Sequence, residues 1–221
     1  MELSGSLFNA SWLVGFAAVI AVAAWQALRW ADWRGLAHHR RLHAYLGAVV
    51  FLMILWSLRT EIQPGFTWHL SGMVSVTLMF GWSLAVIAGC LALGGVIAAG
   101  FNDWAGFAPS AVLLVLLPAT LTQIVLGLVR AYLPKHYFIY VFVNAFFAAG
   151  LIALAVALVT TGVLLVTGAF GLERLRETYL LFLPLMFFPE AVLNGWIMSV
   201  MVGFKPEWVR SFSDEEYLDG K

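Results

Sequence analysis

The stretch Tyr137 to Phe170 reads YFIYVFVNAFFAAGLIALAVALVTTGVLLVTGAF and carries no Asp, Glu, Lys or Arg. A bilayer core of about 30 Å is crossed by roughly 20 mostly apolar helical residues, so this stretch is long enough to span it. Its neighbours repeat the pattern. Apolar runs occupy Phe8 to Trp30, Ala44 to Leu58, Pro109 to Leu133 and Leu180 to Phe204. Two shorter runs, His69 to Trp82 and Ser83 to Ala99, follow each other without a charged break. The chain as a whole is 62% hydrophobic and 11% charged, with a mean hydropathy of +0.92. That is more apolar surface than a soluble core can cover. In hydrocarbon every backbone N–H and C=O needs an internal partner, which leaves helix bundles and closed barrels. Barrel strands alternate apolar with polar residues, and these runs do not.

The fold class expected is therefore all-α, a polytopic transmembrane helix bundle with seven spans, or six if the two short runs form one tilted helix. Residues 1–204 make a single membrane domain and residues 205–221 a short polar cytoplasmic tail. Short loops rich in Lys and Arg stay in the cytoplasm. An outside N-terminus puts Arg34, Arg40, Arg41, Arg130, Lys135, Lys205 and Arg210 inside, against Arg59, Arg174 and Arg176 outside. No basic block precedes the first run, so a cleaved signal peptide is not expected. The net charge is zero and no long basic tract occurs, which excludes a nucleic-acid partner. The partner expected first is the lipid bilayer, in a bacterial inner membrane.

The polar residues at membrane depth carry what remains of the function. No glycine-rich phosphate loop ending in Gly-Lys-Ser/Thr occurs, and no His-Glu-x-x-His, so the chain is not expected to be an enzyme. In EIQPGFTWHLSGMVSVTLMFG, residues 61–81, Pro64 and Gly65 interrupt helix just before His69, and Ser71, Gly72 and Ser75 allow close backbone approach. A neutral imidazole there suits a divalent transition metal; the alternative is a histidine that caps a helix or bonds a loop carbonyl. On the expected topology Glu61 and Asp103 fall on the same side as His69. They are candidate co-ligands, set against a Glu61–Arg59 pair and Asp103 as a helix cap. Glu190 lies in the last span with Asn194 one turn on, where it either lines a cavity and relays a proton or locks two helices together. Gln123 and Asn144 are expected to hydrogen-bond across helices. His38, His39 and His43 sit beside Arg40 and Arg41 and read as a headgroup-facing connector. Cys90 reads as a small packing residue.

The run Gly65, Phe66, Thr67, Trp68, His69, Leu70, Ser71, Gly72, continued by Phe80, Gly81 and Trp82, resembles the Gly-Thr-Ser-Gly-His-Leu-Leu-Gly stretch of a known family. That family is the CbiM-type substrate-binding membrane subunit of energy-coupling-factor cobalt and nickel importers. A second likeness runs from Phe188 through Pro189, Glu190 and Asn194 to Gly195, then Lys205, Pro206 and Glu207. The resemblance implies a membrane component of metal-ion uptake, a divalent transition metal as transported substrate rather than resident cofactor, and ATP hydrolysis by partner subunits. The family's chains begin Met-His, and the terminal amine and that histidine complete the metal site with the histidine of the Gly-His-Leu stretch. This chain begins Met1, Glu2, Leu3, Ser4, which leaves only His69 to carry over. The rival reading is a non-transporting accessory subunit that kept the fold and packs against another membrane complex.

Overall fold

The computed structural model describes residues 2–37 and 39–217. Helices dominate: α1 (Ala10–Trp30), α2 (His39–Ser57), α3 (Met73–Phe80), α4 (Trp82–Ala98), α5 (Trp104–Tyr132), α6 (Tyr137–Val166) and α7 (Leu183–Phe204), the last preceded by the short helix Leu172–Thr178. Among the described residues four helical segments are long and apolar enough to cross a membrane: Ala10–Trp30, Trp104–Tyr132, Tyr137–Val166 and Leu172–Phe204. The expected count of seven therefore does not follow from length and apolarity. Helix α2 starts with two arginines, and α4 is shorter than the four. Eight residues make α3 only about 12 Å long, less than half of a bilayer core.

Helix α3 is the centre of the bundle. All eight of its residues are buried, and it packs on α4, α5 and α7. Helices α3 and α4 are separate elements because Gly81 takes φ 82° and ψ 166°, a conformation that side chains with a Cβ rarely adopt. Around this centre the outer faces are apolar. Val14 and Trp25 on α1, Leu151 and Val166 on α6, and Leu185 and Trp196 on α7 are all exposed, as expected of surfaces that face lipid rather than water. Helix α5 passes through a π-helical stretch, Ala111–Leu116, just before Pro118, and α6 through another, Tyr140–Phe147. The first sits where Pro118 has no N–H to give to the helix.

Close approach of α4 and α5 depends on Gly89, where an added Cβ would collide with the Val115 side chain. Replacing Gly89 with leucine overpacks this contact and is expected to lower stability by about 2 kcal/mol or more. A thermal melt of the detergent-solubilised protein checks it, with Gly94→Leu as control, since nothing lies near a Cβ at that site.

A small antiparallel sheet in the order β1–β3–β2 caps one end: β1 (Glu2–Leu3), β2 (Thr60–Gln63) and β3 (Phe66–Trp68). Glu2 stands opposite Thr67, and Leu3 opposite Phe66. The Leu3 N–H donates to Ser110 Oγ at 2.9 Å, which ties the strand to α5. At the other end of α3 the tail is packed rather than loose. Arg210 N–H donates to the Met79 carbonyl at 2.9 Å and Ser211 Oγ to the Leu78 carbonyl at 2.7 Å. Val209, Phe212 and Tyr217 are buried against the bundle.

Candidate functional site

Three segments far apart in sequence converge at the sheet end of α3. The β3 strand delivers His69 into the turn ahead of α3, where Gly72 takes φ 67° so that the chain can reverse into the helix. The imidazole is 3% exposed and its ring centre lies 5.7 Å from that of Trp56, whose indole N–H donates to the Ser71 carbonyl at 2.9 Å. His69 Nδ1 is 2.9 Å from the Leu70 carbonyl. A carbonyl only accepts, so Nδ1 carries the proton and Nε2 presents its lone pair.

Opposite Nε2, at 3.5 Å, stands Glu2 Oε1. The β1–β3 pairing puts it there, one strand away from His69. Its other oxygen, Oε2, accepts from Arg59 at 2.9 Å and from Asn102 at 3.4 Å. Oε1 is buried and has no hydrogen-bond partner among the described residues. Burial holds the His69 pKa well below its usual value, and the charge of Arg59 pushes the same way. Burial likewise raises Glu2 above the ordinary carboxylate range, with the attraction of Arg59 opposing it. A neutral imidazole facing a carboxyl is a contact between two potential ligands, not an ion pair.

Glu190 joins the same turn from α7. Its Oε2 accepts from Ser71 N–H at 2.7 Å, and its Oε1 from Gly72 N–H at 2.8 Å and from Asn194 Nδ2 at 2.8 Å. Asn194 Oδ1 in turn accepts from the backbone and hydroxyl of Ser75, at 2.9 and 2.8 Å. The two residues thus take up the orphan N–H groups at the start of α3, and a carboxylate suits that positive helix end. These bonds join α7 to the turn ahead of α3. The side chain also faces a small cavity, with about 40 Å³ open to water centres, lined by Trp68, His69, Ser71, Tyr179, Met186 and Glu190 among others. That is room for a few waters.

The other expected ligands are held elsewhere. Glu61 Oε1 accepts from Gly65 N–H at 3.3 Å within its own turn, and Arg59 pairs with Glu2 rather than with Glu61. Asp103 accepts from Ser4 Oγ at 2.6 Å, from Gly5 N–H and from Gly106 N–H at 2.7 Å. Burial alone would raise its pKa, but these hydrogen bonds outweigh it and hold the carboxyl below its usual value. No group of three or more His, Cys, Asp or Glu forms a metal cage among the described residues. The terminal amine implied by the resemblance belongs to Met1, outside those residues, as is His38 of the basic connector. The expected hydrogen bonds of two amides are not found among the described residues: Asn144 is buried with both amide atoms unpartnered, and Gln123 is exposed.

Sequence reasoning missed Glu2. The signal available was its position, second in the chain, where the resembled family has histidine.

No curated protein and no solved structure matches the chain. One family does, described as the cobalt uptake substrate-specific transmembrane region, and its model matches residues 3–208. That span includes β3, His69, the α3 turn and Glu190, and on it the chain belongs to the CbiM family.

Proposed function

We propose that this protein is the substrate-binding membrane component of a divalent transition-metal uptake system, with cobalt the first candidate substrate and nickel the second. In this reading ATP is hydrolysed by partner subunits of an energy-coupling factor. The chain sits in a bacterial inner membrane with its N-terminus outside, and its seven helical segments are accommodated in the bilayer, the short α3 inside the bundle.

The observation that carries the reading is the facing pair of Glu2 Oε1 and His69 Nε2, 3.5 Å apart and both buried. Metal–nitrogen and metal–oxygen bonds near 2.1 Å separate two ligands by roughly 3.4 Å across a tetrahedral angle, and by roughly 3.0 Å across a right angle. The observed spacing favours the wider angle. A carboxylate in place of an imidazole also makes the site harder than an all-nitrogen one. It remains suited to Co²⁺ and extends its range toward Zn²⁺, Mn²⁺ and Fe²⁺. Membership of a cobalt uptake family supports the substrate class.

Elemental analysis of the detergent-purified protein beside a His69→Ala variant, after growth with mixed trace Ni, Co, Zn, Cu, Fe and Mn, tests this. Near-stoichiometric metal in the parent, lost in the variant, is the expected result. Metal absent from both, even after reconstitution with Co²⁺, would sink the reading and leave the accessory-subunit role, in which the fold outlived its ligands.

A further inference from the structure

The end of the bundle away from His69 holds a second and larger cavity, with about 410 Å³ open to water centres. It lies under the Gly81 break, and its walls include Trp30 of α1, Ser83 of α4, Gln123 and Arg130 of α5, and Arg210 of the tail. Among the described residues no acidic side chain lines it. Neither Arg130 nor Arg210 is paired with a carboxylate among the described residues, unlike Arg41 with Asp32 and Arg59 with Glu2. Arg130 gives one N–H to the Ser211 carbonyl at 2.7 Å, which fixes its position and leaves its remaining donors. The Arg210 backbone is pinned to Met79, and its side chain crosses Gly81 so closely that Nη1 would lie 2.9 Å from a Cβ at that position.

The surrounding backbone adds to this positive field. At the end of α3 the negative carbonyls are occupied: Thr77 by Gly81 N–H, Leu78 by Ser211, and Met79 by Arg210 N–H. The adjoining start of α4 has Gly81 as its N-cap, which makes no side-chain cap bond. The outer faces of the flanking helices are apolar, with Leu28 and Trp30 on α1 and Ile124 and Leu128 on α5 all exposed. Basic pockets between helices at a membrane boundary bind phosphate headgroups, and two guanidinium groups suit phosphate oxygens better than any neutral ligand.

We propose that the cavity beneath Gly81 binds a phosphate group through Arg130 and Arg210, borne by an anionic lipid headgroup or free in solution. The site is separate from the metal site and does not depend on it.

The test uses the full chain, delipidated by detergent exchange and titrated with phosphatidylglycerol, phosphatidylcholine or inorganic phosphate, with bound species read by native mass spectrometry. Phosphatidylglycerol is expected to bind in preference to phosphatidylcholine. Arg210→Gln should weaken that binding roughly fivefold, the effect of one near-surface cationic contact. Gln123→Glu, at an exposed position, should weaken it by a similar factor without endangering the fold. Competition by inorganic phosphate at similar concentration would make the free anion the occupant, and failure to compete would make it the lipid. The proposal is overturned if neither phosphatidylglycerol nor inorganic phosphate binds the parent protein, or if both substitutions leave the binding of each unchanged.

Discussion

Replacing Glu190 with alanine should cost this chain a large share of its stability. The change removes the acceptor of three N–H donors at once: the buried N–H of Gly72, the half-buried N–H of Ser71, and one N–H of the Asn194 amide, whose other bond, to the Glu190 carbonyl, is kept. Each buried group left unsatisfied costs about 1–3 kcal/mol, less where water in the adjoining cavity takes the place of a lost carboxylate oxygen. A total of roughly 3–6 kcal/mol on this basis is comparable to the whole stability of many domains. Tryptophan fluorescence during thermal unfolding in detergent reads the effect, since Trp56 and Trp68 flank the same turn. Glu190→Gln separates geometry from charge. Its single carbonyl oxygen can satisfy one of the two backbone donors, so an intermediate melt is expected. If Glu190→Ala melted with the parent, the hydrogen bonds from Glu190 to the α3 turn would not be what holds α7 to the centre of the bundle. If Glu190→Gln kept the fold and bound metal but stopped uptake, the carboxylate would have the proton-relay role in addition to the structural one.

Helices were legible because hydrocarbon imposes a strong and simple rule on composition, and runs such as Tyr137 to Phe170 satisfy it without reference to any other part of the chain. The break between α3 and α4 was also legible, although at Gly81 rather than after Trp82, because a positive-φ glycine and the next residue differ by less than any hydropathy window can resolve. The sheet was not. Two residues, Glu2 and Leu3, show no periodicity, and their strand exists only because β3 offers them a free edge. The same limit applied to the site. His69, Glu190 and Asn194 were visible one by one as polar groups in apolar surroundings. That Glu190 bonds the turn following His69, well over a hundred positions earlier in the chain, is a fact of packing. Glu61 and Asp103 shared an expected side of the membrane with His69, but topology places residues only to within a loop. Each of those carboxylates is taken by backbone N–H groups close by: Gly65 for Glu61, Gly5 and Gly106 for Asp103.

Glu2 is the residue on which the metal reading turns, and exchanging it should change which ion is held as well as how tightly. Glu2→Ala removes a buried carboxylate facing His69 Nε2. Since losing a mere outer partner of a metal ligand weakens binding 10–100-fold, losing the ligand itself should weaken it by on the order of 100-fold or more. Glu2→Gln keeps the shape and the bond to Arg59 while removing the charge, so a fall in affinity with an unchanged melt would assign the effect to coordination. Glu2→His restores the Met-His start of the resembled family. It should move preference away from Zn²⁺ and Mn²⁺ toward Ni²⁺ and Co²⁺, because an added imidazole favours a nitrogen-rich, square-planar arrangement over a harder one. Isothermal titration of the metal-free variants with each ion measures both the affinity and the order of preference. Should Glu2→Ala still hold one equivalent of metal while His69→Ala holds none, Glu2 serves Arg59 alone and the second ligand lies elsewhere. Should both lose the metal and Glu2→His regain it with altered preference, the carboxylate at position 2 occupies the place that the family gives to histidine, and the divergence of this chain is one of ion choice rather than of lost function.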